Sequence, residues 1–323
     1  MNQLNKVYKL IKDTIYEIGP GLFFIFLLEI VFFSLTSEYF LSWANFKNIF
    51  RASTIIGVMA LGQTIVIISG GFDLSVGAVS AATGMAAAWL LQENYGFFVA
   101  IIGAIIMGSL IGVANGAITG YARINPLITT LGMMSIVRGL GFVVSGGYDI
   151  AISNRTFLKM GSGQILSIPY LAIILVFLFL VLGLSIPRFS FGRYMYAIGS
   201  NERACVLAGV RVNRWKLLFY GTCGALAGLA GVITSARVGV GAPQINMGVE
   251  LGVITAVILG GTALTGGKGR ILGTFLGLFI VSTMSNGLVM LSVPTFYKYV
   301  ATGSLLLSAV IYDEWRRSQY AKR

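Results

Sequence analysis

Few residues in this chain could do chemistry, and their types narrow what that chemistry can be. Its 323 residues include no histidine, which removes imidazole bases, imidazole metal ligands and every histidine-containing triad. The two cysteines, Cys205 and Cys223, stand 18 apart and do not make a zinc spacing. They read as small apolar residues. The nearest approach to a phosphate-binding loop is Gly266-Gly267-Lys268-Gly269-Arg270. Such a loop needs glycine six positions before its lysine and serine or threonine after it. Thr262 and Gly269 stand in those places, so ATP is not bound by that route. The sequence leads us to expect no catalytic residue, no metal site and no cofactor.

What remains is a handful of ionisable and amide side chains in apolar surroundings, where such groups are costly and functional by default. Glu29, Asp73, Arg138 and Glu250 are the ionisable ones. Asp73 lies in G-G-F-D-L-S-V-G (70–77), at a break between two apolar runs. Its carboxylate can cap the helix that follows. Arg138 can pair with an acid or with carbonyls freed near such a break. Gln63, Asn115, Ser285 and Asn286 join Asp73 and Arg138 as candidates for a pathway or its gating. Each of those four can equally bond helix to helix.

The elements that must position these residues are membrane spans. Apolar and aromatic residues make up 56% of the chain, charged residues 11%, and the mean hydropathy is +0.86. Soluble domains carry about 25% charged residues, so a soluble enzyme is excluded. A membrane β-barrel would alternate apolar and polar residues, whereas these apolar runs are continuous. Ten run at 21–40, 52–70, 74–92, 97–120, 126–145, 168–187, 217–236, 249–265, 271–291 and 295–312. At about 20 residues per crossing, ten spans use about 200 residues and fit the length. The first run lacks a small-x-small cleavage site and reads as a retained span rather than a signal peptide.

Charge sets the expected orientation. The net charge of +12 reads as basic membrane loops rather than a nucleic-acid surface. With the N-terminus inside, 16 of the 23 Lys and Arg fall on the cytoplasmic side and 6 outside, with Arg138 within a span. Both termini are therefore expected in the cytoplasm, and 146–167 is the longest external loop. The segment 188–216 holds six basic residues against the single acid Glu202. Within it, Ser200-Asn201 offers an N-cap, Glu202 a favourable first-turn charge, and Gly209 an αL stop. This predicts a short amphipathic helix that either lies on the membrane surface or docks a partner.

Two further patterns concern packing and symmetry. Gly108, Gly112, Gly116 and Gly120 form one stripe, and Gly221, Gly224, Gly228 and Gly231 another. Small residues let helices approach closely in lipid, so packing is the plain reading and a narrow pathway the alternative. Residues 68–77 (I-S-G-G-F-D-L-S-V-G) and 258–267 (I-L-G-G-T-A-L-T-G-G) match at five of ten positions. We therefore expect two related bundles, spans 2–5 and 7–10, in one permease domain covering 1–323. Transporters are often built from such repeats.

At this point the motifs carry a resemblance. G-G-F-D-L-S-V-G (70–77), Arg138-Gly139, G-R-Y-M-Y-A-I-G-S-N-E-R-A (192–204) and A-V-I-L-G-G-T-A-L-T-G-G-K-G-R-I-L-G-T (256–274) resemble the permease subunits of bacterial ribose-type ABC importers. The resemblance runs from about Trp43 to the end of the tenth span. It implies an all-α membrane protein of the type II importer class with two pseudo-symmetric helix bundles. It also implies a second permease copy, ATPase subunits below, a periplasmic sugar-binding protein above, and a bacterial inner-membrane location amid lipid. Asn201, Glu202, Arg203, Ala204, Leu207 and Gly209 fall in the region that couples to the ATPase. Phe72 and Gly252 depart from the usual pattern, so the resemblance implies the family and not ribose itself. The rival is an ion-coupled secondary carrier, which would need a relay of intramembrane charges and no docking helix. A membrane-embedded enzyme has no nucleophile–base pair to support it.

Overall fold

A computed structural model of the protein describes residues 20–321. The basic residues Lys6, Lys9 and Lys12 and the cytoplasmic N-terminus inferred from them lie outside the described residues. The described chain is almost entirely helical: α1 (Pro20–Thr36), α2 (Trp43–Ile68), α3 (Val76–Gln92), α4 (Phe97–Gly120), α5 (Pro126–Ser145), α6 (Arg155–Ser162), α7 (Tyr170–Ser185), α8 (Ser190–Ser200), α9 (Glu202–Leu207), α10 (Val212–Val238), α11 (Val249–Leu259), α12 (Ile271–Met290) and α13 (Thr295–Ala321). Two small antiparallel ladders complete it, pairing Ile150–Ala151 with Val240–Gly241 and Gln164–Ile165 with Ile168–Pro169. Six helices are long and apolar enough to cross a membrane, and four shorter apolar helices accompany them. This is an all-α membrane fold with the ten apolar elements the sequence predicts.

Several boundaries differ from the sequence reading, each for a local reason. The second span starts at Trp43 rather than 52, because the Ser42 hydroxyl accepts the Asn45 N–H at 3.2 Å and caps the helix there. The run 249–265 is not a full span. Its helix stops at Leu259, where Gly260 and Gly261 (φ +85°) turn the chain. Eleven residues reach only about 16 Å at 1.5 Å each, half of a hydrocarbon core. The segment 146–167 is not a plain loop, since α6 folds in it and packs beneath α10. At that contact Gly161 lies against the Ala236 and Arg237 backbone. The segment 188–216 gains a second helix, α8, ahead of the one the sequence predicts.

The core is organised around α10, which is buried along most of its length against α4, α3 and α2. Its glycine stripe meets that of α4 backbone to backbone. A Cβ on Gly116 would come 2.8 Å from the Lys216 carbonyl, and one on Gly228 2.7 Å from that of Ala104. Gly108 and Gly112 are closer still to Gly224 and Tyr220. The stripes are packing seams, with no space between them for a pathway. Close approach of this kind supplies the dispersion and shape fit that replace the hydrophobic effect in lipid.

Candidate functional site

Between α2 and α3 the chain is unwound over residues 69–75, and Ser69, Asp73 and Ser75 of this stretch are buried in the bundle. Non-helical backbone survives at membrane depth only where protein groups satisfy it. Here side chains from three helices do so. The Gln63 amide, oriented to satisfy both its atoms, donates to the Asp73 carbonyl (2.9 Å) and accepts the Asp73 N–H (3.3 Å). The Tyr220 hydroxyl accepts the Phe72 N–H (3.1 Å) and donates to the Phe72 carbonyl (3.2 Å). Thr130 Oγ1 accepts the Leu74 N–H at 3.1 Å. Gly71 makes room for the phenol, since a Cβ there would stand 2.6 Å from Tyr220 Oη.

The Asp73 carboxylate does not reach into the first turn of α3 as a helix cap would. Its Oδ1 accepts both the Ser75 N–H (2.8 Å) and the Ser75 hydroxyl (2.6 Å), a turn that ends where α3 begins. Asn115 Nδ2 bridges Ser75 Oγ (3.0 Å) and Asp73 Oδ2 (3.4 Å). The structure thus brings Gln63, Asp73 and Asn115 into one buried cluster. The sequence reading missed Tyr220, Thr130 and Ser75 as its other members.

Arg138 serves a second irregular stretch, between α10 and α11. Its guanidinium donates to the carbonyls of Pro243 (2.9 Å) and Ile245 (3.1 Å). Of the two alternatives raised for Arg138, the structure shows the freed carbonyls as its hydrogen-bond partners. Asn246 ties the same stretch to Ser80 (2.7 Å) and Thr234 (3.1 Å). A Cβ on Gly77 would lie 2.6 Å from Glu250 Oε2, so the starts of α3 and α11 face each other. Asn286 lies apart from these clusters and donates to Asn45 Oδ1 at 2.9 Å, a helix-to-helix bond. Ser285 beside it is half-buried. Glu29 has both carboxylate oxygens shielded and without a hydrogen bond among the described residues.

The two copies of the internal motif meet each other, and the loop helices meet both. The Gly267 N–H donates to the Ile68 carbonyl at 2.8 Å. A Cβ on Gly266 would come 2.9 Å from Gly70, and Gly199 packs directly on the Ile68 carbonyl and the Gly267 nitrogen. Tyr196 Oη donates to the Gly269 carbonyl at 2.8 Å. Burial pushes this phenol above its ordinary value against the opposing charge of Arg270, which keeps it protonated as a donor. The end of α8 is thus wedged where both breaks come together.

From that wedge α9 projects. Asn201 Oδ1 accepts the Ala204 N–H (3.0 Å), and Gly209 closes the turn at φ +78°, as the sequence predicts. Glu202 adds a bond the sequence does not show, an ion pair to Lys216 at 2.7 Å. A cavity of about 1140 Å³ opens between α9 and the α4–α5 turn, with Arg123, Arg203 and Arg214 on its walls. Leu207 is 90% exposed on α9, and Val206 and Tyr121 are exposed nearby. Asn201, Arg203, Ala204 and Gly209 are exposed as well.

Discontinuous spans whose breaks are held by neighbouring helices, in an all-α membrane bundle, are the construction of membrane transporters. Comparison with known proteins gives the particular family. The family model described as "Branched-chain amino acid transport system / permease component" matches residues 45–310. The chain belongs to this family of ATP-binding-cassette importer permeases, within which its relatives are sugar permeases. It is 39% identical to the ribose import permease protein RbsC of Bacillus subtilis, over 92% of each chain. It is 37% identical to the L-arabinose ABC transporter permease protein AraH of Azospirillum brasilense, over 93% of this chain and 88% of the relative. It is 35% identical to the D-allose transport system permease protein AlsC of Escherichia coli, over 91% and 90% respectively. No solved structure gives a significant match. Family membership sets aside the ion-coupled carrier.

Proposed function

We propose that this chain passes a monosaccharide, ribose or a related pentose or hexose, across a bacterial inner membrane, with both termini cytoplasmic. ATP is hydrolysed by separate subunits that dock on α9, in the region of Asn201, Glu202, Arg203, Ala204, Leu207 and Gly209. The observation that carries this reading is the wedge of α8 between the two breaks. A push on Leu207 is transmitted through Gly199 to Ile68 and Gly267, at the foot of the broken spans. Gln63, Asp73 and Asn115 then act in gating, by holding the unwound stretch, and Arg138 does the same for the second stretch. The contact between the two motif copies supports one permease domain with spans 2–5 and 7–10 as related bundles. Ser285 and Asn286 remain candidates for the pathway, which completes itself against a second permease copy.

The opposite face suits a secreted binding protein. Arg155, Lys159 and Arg237 are exposed there around α6, and Arg51 donates to the Ser162 carbonyl at 3.2 Å at the end of that helix. A basic platform of this kind steers an acidic partner surface. Reporter fusions after residues 160 and 205 test the orientation: the first is expected outside and the second inside. The same compartment for both would overturn it.

Affinity for the sugar is expected to reside in the binding protein. A buried hydroxyl without a partner costs about 1–3 kcal/mol, and the amide N–H groups of Gln63, Asn115 and Asn286 already donate within the protein, leaving the side-chain oxygens of Asn115 and Asn286 as the acceptors without a partner among these three amides. Calorimetry on the isolated permease is expected to give millimolar or weaker binding, about −4 kcal/mol. Uptake into vesicles should require both the ATPase and the binding protein. A micromolar site, or uptake by the permease alone, would count against the reading.

A further inference from the structure

At the loop face, a second cavity of about 510 Å³ lies between the end of α7, the middle of α8 and the start of α12. Its walls are of two kinds. Gly183, Leu184, Ile186, Ile271 and Leu272 make an apolar side, and Arg188 and Arg270 bring two guanidinium groups to it. The apolar side continues the membrane-facing surface of α7, on which Phe177, Leu180 and Leu184 are exposed. The basic side lies where α7 gives way to the Ile186–Arg188 turn and where α12 starts. A basic group at the end of an apolar span sits where hydrocarbon gives way to headgroups.

We propose that this cavity binds one anionic phospholipid of the adjoining leaflet, with its phosphate on Arg188 and Arg270 and its chain along Leu184 and Leu272. A free phosphate would use only the arginines and leave the apolar walls in water. A zwitterionic lipid would place its own cation beside two guanidinium groups. An anionic lipid satisfies both halves at once, and basic pockets between spans are the sites that hold such headgroups. Tyr196 and Gly269 also line the cavity, so the lipid sits against the hydrogen bond that joins α8 to the second break. Its occupancy would stiffen that joint.

The test is native mass spectrometry of the full-length permease in detergent, titrated separately with phosphatidylglycerol and phosphatidylcholine. Wild type is expected to hold one phosphatidylglycerol in preference to phosphatidylcholine. Arg188→Gln should weaken phosphatidylglycerol by about fivefold, the worth of one basic residue near an anionic surface, and leave phosphatidylcholine unchanged. Arg188 is exposed and its guanidinium bonds the Leu184 carbonyl of its own turn, so the variant should fold; matching thermal unfolding checks this. Gly183→Leu fills the cavity from the apolar side, since a Cβ there already stands 3.3 Å from Leu272. It should weaken phosphatidylglycerol with both arginines in place. Equal affinity for the two lipids, or no effect of Arg188→Gln, overturns the site. Displacement of the lipid by millimolar inorganic phosphate would instead assign the arginines to free phosphate and also overturn it.

Discussion

Leu207→Asp should abolish co-purification of the ATPase and stop ATP-driven uptake, while the permease itself folds and unfolds as wild type. Leu207 is 90% exposed, so the substitution removes nothing from the core of this chain. Its cost falls on whatever covers the leucine. Burying a leucine is worth about 1.5–3 kcal/mol, and placing an unpaired carboxylate in the same apolar contact costs several more. At about 1.4 kcal/mol per factor of ten, docking should weaken by about a hundredfold or more. Gly209→Val approaches the same end through the backbone. It forces a β-branched residue to φ +78°, at about 1–2 kcal/mol, and loosens the turn that aims α9. Wild-type co-purification and uptake in Leu207→Asp would remove α9 as the docking element.

How far these residues were legible in the sequence depends on the range of the signal. The fifth span was readable to the residue, because its stops are local. Asn125 caps it by accepting the Leu127 N–H at 2.8 Å, Pro126 opens it, and Gly146 closes it at φ +61°. The α9 helix was legible for the same reason, in Asn201, Glu202 and Gly209. The end of α11 was not, because a hydropathy window sees the apolar residues beyond Gly261 as more span. The signal was the Gly-Gly pair itself, which turns the chain. Helix α8 was missed although its signal was present. Phe191, Met195 and Ile198 recur at helical spacing, and Met195 and Ile198 are buried, but the surrounding arginines masked the pattern. The partners of the first break were beyond any local reading. Tyr220 lies 148 residues from Phe72, and Thr130 lies 56 from Leu74.

Gln63→Leu is expected to be the most damaging single change in the membrane interior. Leucine is close in volume and better suited to lipid, so hydropathy alone would call the change harmless. The structure reverses that expectation. The Gln63 amide serves the N–H and the carbonyl of Asp73 together, and Asp73 is 1% exposed, so water cannot replace either bond. Each orphaned backbone group costs about 1–3 kcal/mol, which gives about 2–6 kcal/mol for the pair. Asn286→Leu offers the contrast. It orphans one group, the Asn45 Oδ1, while the Asn45 amide still donates to the Phe40 carbonyl at 2.9 Å, and should cost about 1–3 kcal/mol, half the cost of the pair. Thermal unfolding of both variants in detergent, with vesicle uptake alongside, separates them. A Gln63→Leu protein as stable as Asn286→Leu, with uptake intact, would show that the unwound stretch does not depend on its side-chain scaffold. A Gln63→Leu protein that folds but no longer transports would place the break in the transport cycle. The stretch would then have settled into an arrangement that movement of α8 can no longer open.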